Sequence, residues 1–345
     1  MAHSVDRRRF LRGAGYLGLA AAGSQLLVVC SSNETLMPSP SAKVHRVGWL
    51  SAATPDWISS PALSAFRERL RELGYSEANN LSLSYSWSEV RGSAITVSRL
   101  IESKVDVIVA ENSATVLHAK HDQSAVPVVF IVESDPVATG LVDSFAQPGG
   151  HLTGVTYDNL AFTAGKRLQL LTEAVPSIRK VAVLFDPGHN PGPLPYTETA
   201  AAALNLQLLR LPVVTSRELD LALDSLTKES ADALILFSGG VINSDGSRIL
   251  SFARAHRLPT MLDFGGWVVD LTSGDSALMC FTPSELALYR RLADLVVKVL
   301  RGAKPRDIPV ERPVDYELVI NLKLADAMGL TISRSVLAQA TRVIR

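Results

Sequence analysis

The chain has 345 residues and a formal net charge of zero, with 34 basic and 34 acidic side chains. That length exceeds one small core and suits two domains of ordinary size, and a hydrophobic fraction of 47% against 20% charged excludes a disordered chain. Two cysteines, Cys30 and Cys280, exclude a disulfide scaffold and a cysteine-built zinc site, and no basic patch outside the first twelve residues offers a surface to nucleic acid.

The N-terminus reads as an address. Asp6-Arg7-Arg8-Arg9-Phe10-Leu11-Arg12 precedes an apolar, Gly/Ala-rich stretch over 13–29, the order of a secretory signal. Arg7 and Arg8 followed by x-Phe-Leu-basic resemble the twin-arginine export signal. A membrane-spanning anchor needs about 20 strongly apolar residues, more than this stretch supplies. Two cleavage sites remain open. Leu27-Val28-Val29-Cys30 resembles a lipoprotein box that would acylate Cys30, with Val29 where a small residue is usual; Ala20-Ala21-Ala22 offers an ordinary site. The stretch 30–43, with Met37-Pro38-Ser39-Pro40-Ser41, reads as a tether. Cutting before Cys30 removes four of the 34 basic residues and one of the 34 acidic ones, leaving the mature chain slightly acidic.

From Val44 the pattern becomes regular. Strand 44–50 is followed by a helix that Ser60 caps and Pro61 begins, with Leu63, Phe66, Leu70 and Leu73 at helical spacing and Gly74 as the stop. Strand 81–87, helix 93–103, strand 105–110, helix 113–122 and strands 127–132 and 152–156 come next. Val105-Asp106-Val107-Ile108-Val109 is the kind of run that a parallel sheet buries on both faces. After helix 164–175 the alternation restarts with strand 181–185, helix 196–204, strand 206–213, helix 218–229, strand 233–237, helix 246–256 and strand 259–263. Helix 285–300, a Pro-rich stretch at 302–312 and a strand and helix over 316–327 complete the chain. Two such series predict an α/β chain of two doubly wound, Rossmann-like lobes with a hinge and an interlobe ligand cleft. The expected division is 44–157 plus 281–310 for lobe one and 158–280 plus 311–345 for lobe two, behind the export signal 1–29.

Ligands of open α/β sheets sit beyond the C-terminal strand ends. The candidate ligand-binding residues are therefore Ser51, Trp57, Asn112, Ser113, Ala114, Ser134 and Asp135 in lobe one, and Phe185, Asp186, Ser238, Gly239, Asp263 and Trp267 in lobe two. Ser51 and Ser113 read equally as helix caps, Asp135-Pro136 as a turn, and Phe264 and Trp267 as core. The seven histidines read as surface. The chain has no G-x-S-x-G, no G-x-x-x-x-G-K-[ST] and no G-x-G-x-x-G after the first strand, so the expectation is ligand capture with no catalytic residue, cofactor or metal.

Several stretches carry a family resemblance: Asp135-Pro136-Val137-Ala138-Thr139-Gly140-Leu141-Val142, Gln147-Pro148-Gly149-Gly150-His151-Leu152-Thr153-Gly154, Lys166-Arg167-Leu168, Gly302-Ala303-Lys304-Pro305 and Glu317-Leu318-Val319-Ile320-Asn321-Leu322-Lys323. Over 44–345 the chain resembles the substrate-binding proteins of ABC transporters whose known ligands include aromatic amino acids. The resemblance implies a type I periplasmic-binding fold, a small-molecule ligand, an ABC permease as partner and a periplasmic, monomeric protein. Its binding loops depart from the family pattern. Glu111-Asn112-Ser113-Ala114 stands where Gly-Thr-Pro-Ala is common, and Phe185-Asp186-Pro187 where Trp-Asn-Pro is common. The rival readings are a sensory module of the same fold and, further off, an exported enzyme.

Overall fold

The computed structural model describes residues 43–51, 58–87, 94–121, 126–133, 135–157, 159–188, 193–264 and 276–345. The export signal, Cys30, Trp57, Ser134 and Trp267 lie outside the described residues.

Strand β1 (His45–Ser51) is buried from Val47 onward and pairs in parallel with β2 (Leu81–Trp87) on one side and β3 (Val107–Glu111) on the other. β4 (Val128–Val132) and β5 (Leu152–Thr156) extend the sheet to the order β2-β1-β3-β4-β5. All residues of β4 and β5 are buried, as a sheet covered on both faces requires. The helix α1 (Pro61–Glu72) starts where the sequence places it: the Ser60 side chain accepts from Leu63 N at 3.2 Å and Pro61 occupies the first turn. Helices α2 (Ala94–Glu102) and α3 (Ser113–His121) cover the opposite face, with Val97, Leu100, Val116 and Ala119 packed on Ile108, Ala110 and Phe130.

The second sheet joins β6 (Lys180–Phe185), β7 (Gln207–Pro212), β8 (Ala233–Leu236), β9 (Thr260–Leu262), β10 (Met279–Pro283), β11 (Tyr316–Asn321) and β12 (Arg342–Ile344) in the order β12-β11-β10-β9-β8-β6-β7. Among the described strands only β10 and β11 run antiparallel. One face carries α4 (Leu160–Ala174), α5 (Pro193–Ala203), α10 (Leu322–Met328) and α11 (Arg334–Leu337). The other carries α6 (Ser216–Lys228), α7 (Gly240–Ser244) and α8 (Gly246–Ala255).

Helix α9 (Glu285–Leu300) follows β10 of the second sheet but packs on the first. Its stripe of Leu288, Tyr289, Leu292 and Val296 lies with Trp49, Phe66, Val109, Ile131 and Val155 in one buried cluster. Trp49 is fully buried there, edge-on to Phe66 at 4.9 Å between centroids. Asp294 on α9 pairs with Arg69 on α1 at 2.8 Å. The chain thus passes between the sheets three times. It leaves the first sheet after Tyr157, returns at Ser284, and crosses again after Glu311, whose backbone bridges Val155. β10 lies wholly in the second sheet, so the return falls at Ser284 and not at the expected 281.

Element boundaries shift for identifiable reasons. α4 begins at Leu160 rather than 164, because Asn159 O already accepts from Thr163 N. α5 begins at Pro193 rather than 196, since a proline in the first turn lacks only an N–H that would have no intrahelical partner. α6 begins at Ser216, one residue after Thr215, which forms a reciprocal capping box with Glu218. Four short elements, β10, α7, α11 and β12, exceed the sequence reading.

Candidate functional site

Successive residues of a strand point to opposite faces. On the α1/α9 face of the first sheet that alternation carries Val47, Trp49, Val107, Val109, Val129, Ile131 and Val155 into the core. Two positions further along, the same face ends in Ser51, Glu111, Glu133 and Tyr157. Tyr157 N donates to Val132 O at 2.8 Å, which sets Tyr157 beside Glu133. The first turns of α9 close the row from above, with Glu285 and Tyr289 four residues apart on one side of the helix. Tyr289 Oη donates to Glu111 Oε1 at 2.6 Å, and Tyr157 Oη to Glu285 Oε1 at 3.3 Å.

This is an acidic floor with phenol donors. Burial raises the Glu111 carboxyl above its ordinary range, opposed by hydrogen bonds from Ser51, Tyr289 and Trp49 and reinforced by the charge of Glu133. Burial also raises Glu285, opposed by Tyr157 and reinforced by Glu317. Both tyrosines are pushed well above their usual value, first by burial and then by neighbouring ionisable groups, and so remain neutral donors.

In the second lobe, the loops beyond β6, β8 and β9 are tied together by two carboxylates. Asp186 Oδ1 accepts from Gly188 N at 2.9 Å and Oδ2 from Gly240 N at 3.3 Å, and Asp263 accepts from Ser238 N at 3.0 Å. Gly239 is required by close approach, because a Cβ there would sit 2.6 Å from Asp186 Cβ. Behind them the buried Arg167 donates from Nε to Phe281 O at 2.9 Å and from Nη2 to Asp263 O at 3.4 Å.

A cavity of about 170 Å³ has walls from both lobes. Glu133, Asp135 and Phe145 come from the first, Leu160, Ala161 and Tyr196 from the second, and Asn159 and Arg312 from the crossing segments. The Arg312 guanidinium lies over the Phe145 ring, 3.5 Å from its centroid. A second cavity, of about 500 Å³, lies between α9 and the segment 311–315, and Arg312 borders it too. Among the described residues no group of three or more His, Cys, Asp or Glu side chains is arranged to hold a metal ion.

Of the residues named from sequence, Asp135 lines the interlobe cavity, where its Oδ1 also accepts from Val137 N and Ala138 N. Ser51 ends β1 within the acidic row. Asn112, not Ser113, caps α3: its Oδ1 accepts from Thr115 N at 3.1 Å, with the backbone at a φ of 60° that Asn tolerates. Ser113 and Ala114 form the first turn of that helix. Phe185, Asp186, Ser238, Gly239 and Asp263 gather at the adjacent strand ends of the second sheet, and none lines the interlobe cavity.

Sequence reasoning did not single out Tyr157, Glu285, Tyr289, Phe145, Tyr196 or Arg312. One signal was available: Glu285 and Tyr289 share a face with the apolar stripe of α9, yet are polar at the end nearest the crossing. Arg312 sits at the end of a Pro-rich stretch with no periodicity to mark it.

Residues 57–344 match the family model described as ABC transporter substrate binding protein. A tyrosine-binding protein of Clostridioides difficile is 25% identical over 331 residues, 92% of each chain. Two solved structures share the fold. One is an ABC domain in complex with L-Trp from Streptococcus pneumoniae, with a TM-score of 0.71 and 22% identity, covering 88% of this chain and 100% of that one. The other is the ligand-free, open form of a substrate binding protein with adhesive properties from Clostridium difficile, with a TM-score of 0.72 and 19% identity, covering 87% and 99%.

Proposed function

The chain belongs to the ABC transporter substrate binding protein family, and from that premise we propose that it is the extracytoplasmic receptor of an importer, capturing a small, carboxylate-bearing, amino-acid-like or aromatic molecule between its lobes and passing it unchanged to a membrane permease. The observation that carries this reading is the cavity of about 170 Å³ walled by both lobes. Such a position lets one ligand bridge the lobes and stabilise a closed arrangement. Its lining favours an amphipathic zwitterion, since carboxylates, a guanidinium and two aromatic rings meet there. The names of the tyrosine-binding relative and the L-Trp complex agree with that class.

The reading extends to the address. The twin-arginine machinery would recognise Arg7 and Arg8, leaving a periplasmic, monomeric protein held to the membrane through Cys30. No helix among the described residues is long and apolar enough to cross a membrane.

The test is thermal shift of the mature chain against amino acids, aromatic acids and sugars. At a hundred times its dissociation constant, a cognate ligand should add about 2.7 kcal/mol of apparent stability. Stabilisation by sugars alone, or chemical conversion of the bound compound, would overturn the proposal.

A further inference from the structure

We infer that the cavity of about 500 Å³ between α9 and the segment 311–315 is a second ligand site, set on the hinge, for an aliphatic α-amino acid. The inference goes beyond the receptor reading and does not depend on the interlobe cavity.

The space is a gap tied at both ends. At one end Ser284 N, just before α9, donates to Asp315 O at 2.9 Å. At the other, two turns along the helix, Arg291 reaches Glu311 from Nε at 2.8 Å and from Nη2 at 2.6 Å. Among the described residues no other hydrogen bond or ion pair joins 284–291 to 311–315. Val155 lines the space from β5, where Thr156 N donates to Glu311 O at 3.0 Å and Glu311 N to Gly154 O at 2.9 Å. The segment therefore cannot collapse onto the helix without breaking these ties, and the gap is preformed. Small-molecule pockets run from about 300 to 1,000 Å³. This one falls within that range, and the interlobe cavity of about 170 Å³ falls below it.

The walls state the ligand's chemistry. Val155, Ala287, Leu288, Pro313 and Val314 are aliphatic, and no aromatic side chain lines the space. Val314 is 80% exposed, an apolar surface that an apolar ligand would take out of water. Of the four charged side chains in the lining, Arg291 and Glu311 neutralise each other. The other two are uncommitted. Among the described residues the Arg312 guanidinium rests on Phe145 with no hydrogen bond or ion pair, and the Asp315 carboxylate has neither. One cation and one anion in an otherwise neutral, aliphatic space complement a zwitterion with an aliphatic body, its carboxylate on Arg312 and its ammonium on Asp315. A fatty acid would meet the like charge of Asp315, and an alkylamine that of Arg312. Because Ser284 and 311–315 belong to the second and third crossings, an occupant bears on the hinge, which links its binding to closure.

The experiment measures calorimetric binding of L-leucine, with 4-methylpentanoate as the analogue lacking the ammonium and 3-methylbutan-1-amine as the analogue lacking the carboxylate. Leucine should bind more tightly than either. Arg312 borders both cavities, so the deciding variants alter residues that line this one alone. Ala287→Phe, which fills the space, should abolish leucine binding. Asp315→Asn should weaken leucine about tenfold and should not weaken 4-methylpentanoate. Asp315 is exposed, so the unliganded Asn variant should melt with the wild type, and it decides alone if Ala287→Phe melts early. If leucine binds and folded variants bind it like wild type, the ligand sits elsewhere, and this inference fails while the receptor reading stands. If the wild type binds none of leucine, isoleucine, valine and methionine, the inference fails whatever tyrosine and tryptophan do.

Discussion

Tyr289 Oη and Glu111 Oε1 lie 2.6 Å apart, joining the helix that arrives last in the first lobe to the end of a strand that forms early in it. That bond holds a carboxylate in a place where burial favours the protonated form. A carboxyl whose folded-state pKa is raised contributes stability below its ordinary value of 4.5, and that contribution is lost as pH rises through the shifted value. Urea unfolding followed from about pH 4 to 8 should therefore show the wild type losing stability relative to Glu111→Gln as pH rises. Tyr289→Phe, which removes an opposing hydrogen bond, should steepen the loss. Parallel curves for wild type and Glu111→Gln would count against a buried, raised carboxyl.

Gly154 faces Phe130 across β4 and β5. A Cβ there would lie 2.6 Å from the Phe130 ring and closer still to its carbonyl oxygen, which belongs to the sheet backbone and cannot step aside. Gly154→Ala should cost about 3 kcal/mol or more. A variant with an unchanged denaturation midpoint would mean that β4 and β5 do not pair in this register.

Thr153, buried beside it, donates from Oγ1 to Ile308 O at 2.8 Å and so pins the stretch before the third crossing to β5. Thr153→Val keeps the shape and orphans that carbonyl, so it should lose about 1–3 kcal/mol in the same assay. An isostable valine variant would remove this link from the account of the hinge.

Closure itself is measurable. Small-angle scattering with a saturating cognate ligand should give a smaller radius of gyration than the free protein, because both walls of the cavity move inward. A tight ligand that leaves the curve unchanged would refute a closing cleft.

The address makes a separate prediction. Lys substitution of both Arg7 and Arg8 should hold precursor in the cytoplasm, and Cys30→Ala should move the protein out of the membrane fraction. Normal export of the first variant would remove the twin-arginine reading. Unchanged fractionation of the second would move cleavage to Ala22.

What the sequence made legible follows from what each element depends on. β2, β5 and α9 match their observed limits because their apolar patterns and turns are local. β10 escaped because Met279–Pro283 is five residues ending in proline, and only its neighbours β9 and β11 make it a strand. Strand ends were legible as the place for ligand, since that rule needs only the order of elements. Of the side chains that line the cavity, only Asp135 was. Arg312 and Tyr196 are 116 positions apart, and their meeting depends on where the crossings bring the two sheets together.

The late arrival of α9 has a consequence for synthesis. The strands of the first sheet are complete by Thr156, but the helix that covers Trp49, Leu63 and Phe66 ends at Leu300. At ribosomal speed the intervening chain takes roughly seven to thirty seconds to emerge. For that interval the part of this apolar, aromatic face that α1 does not cover stands exposed, while β6 to β10 of the second sheet are being made. A nascent chain stopped before Glu285 should therefore be the species that chaperones hold, and the wait for this single helix sets the period of greatest exposure to aggregation.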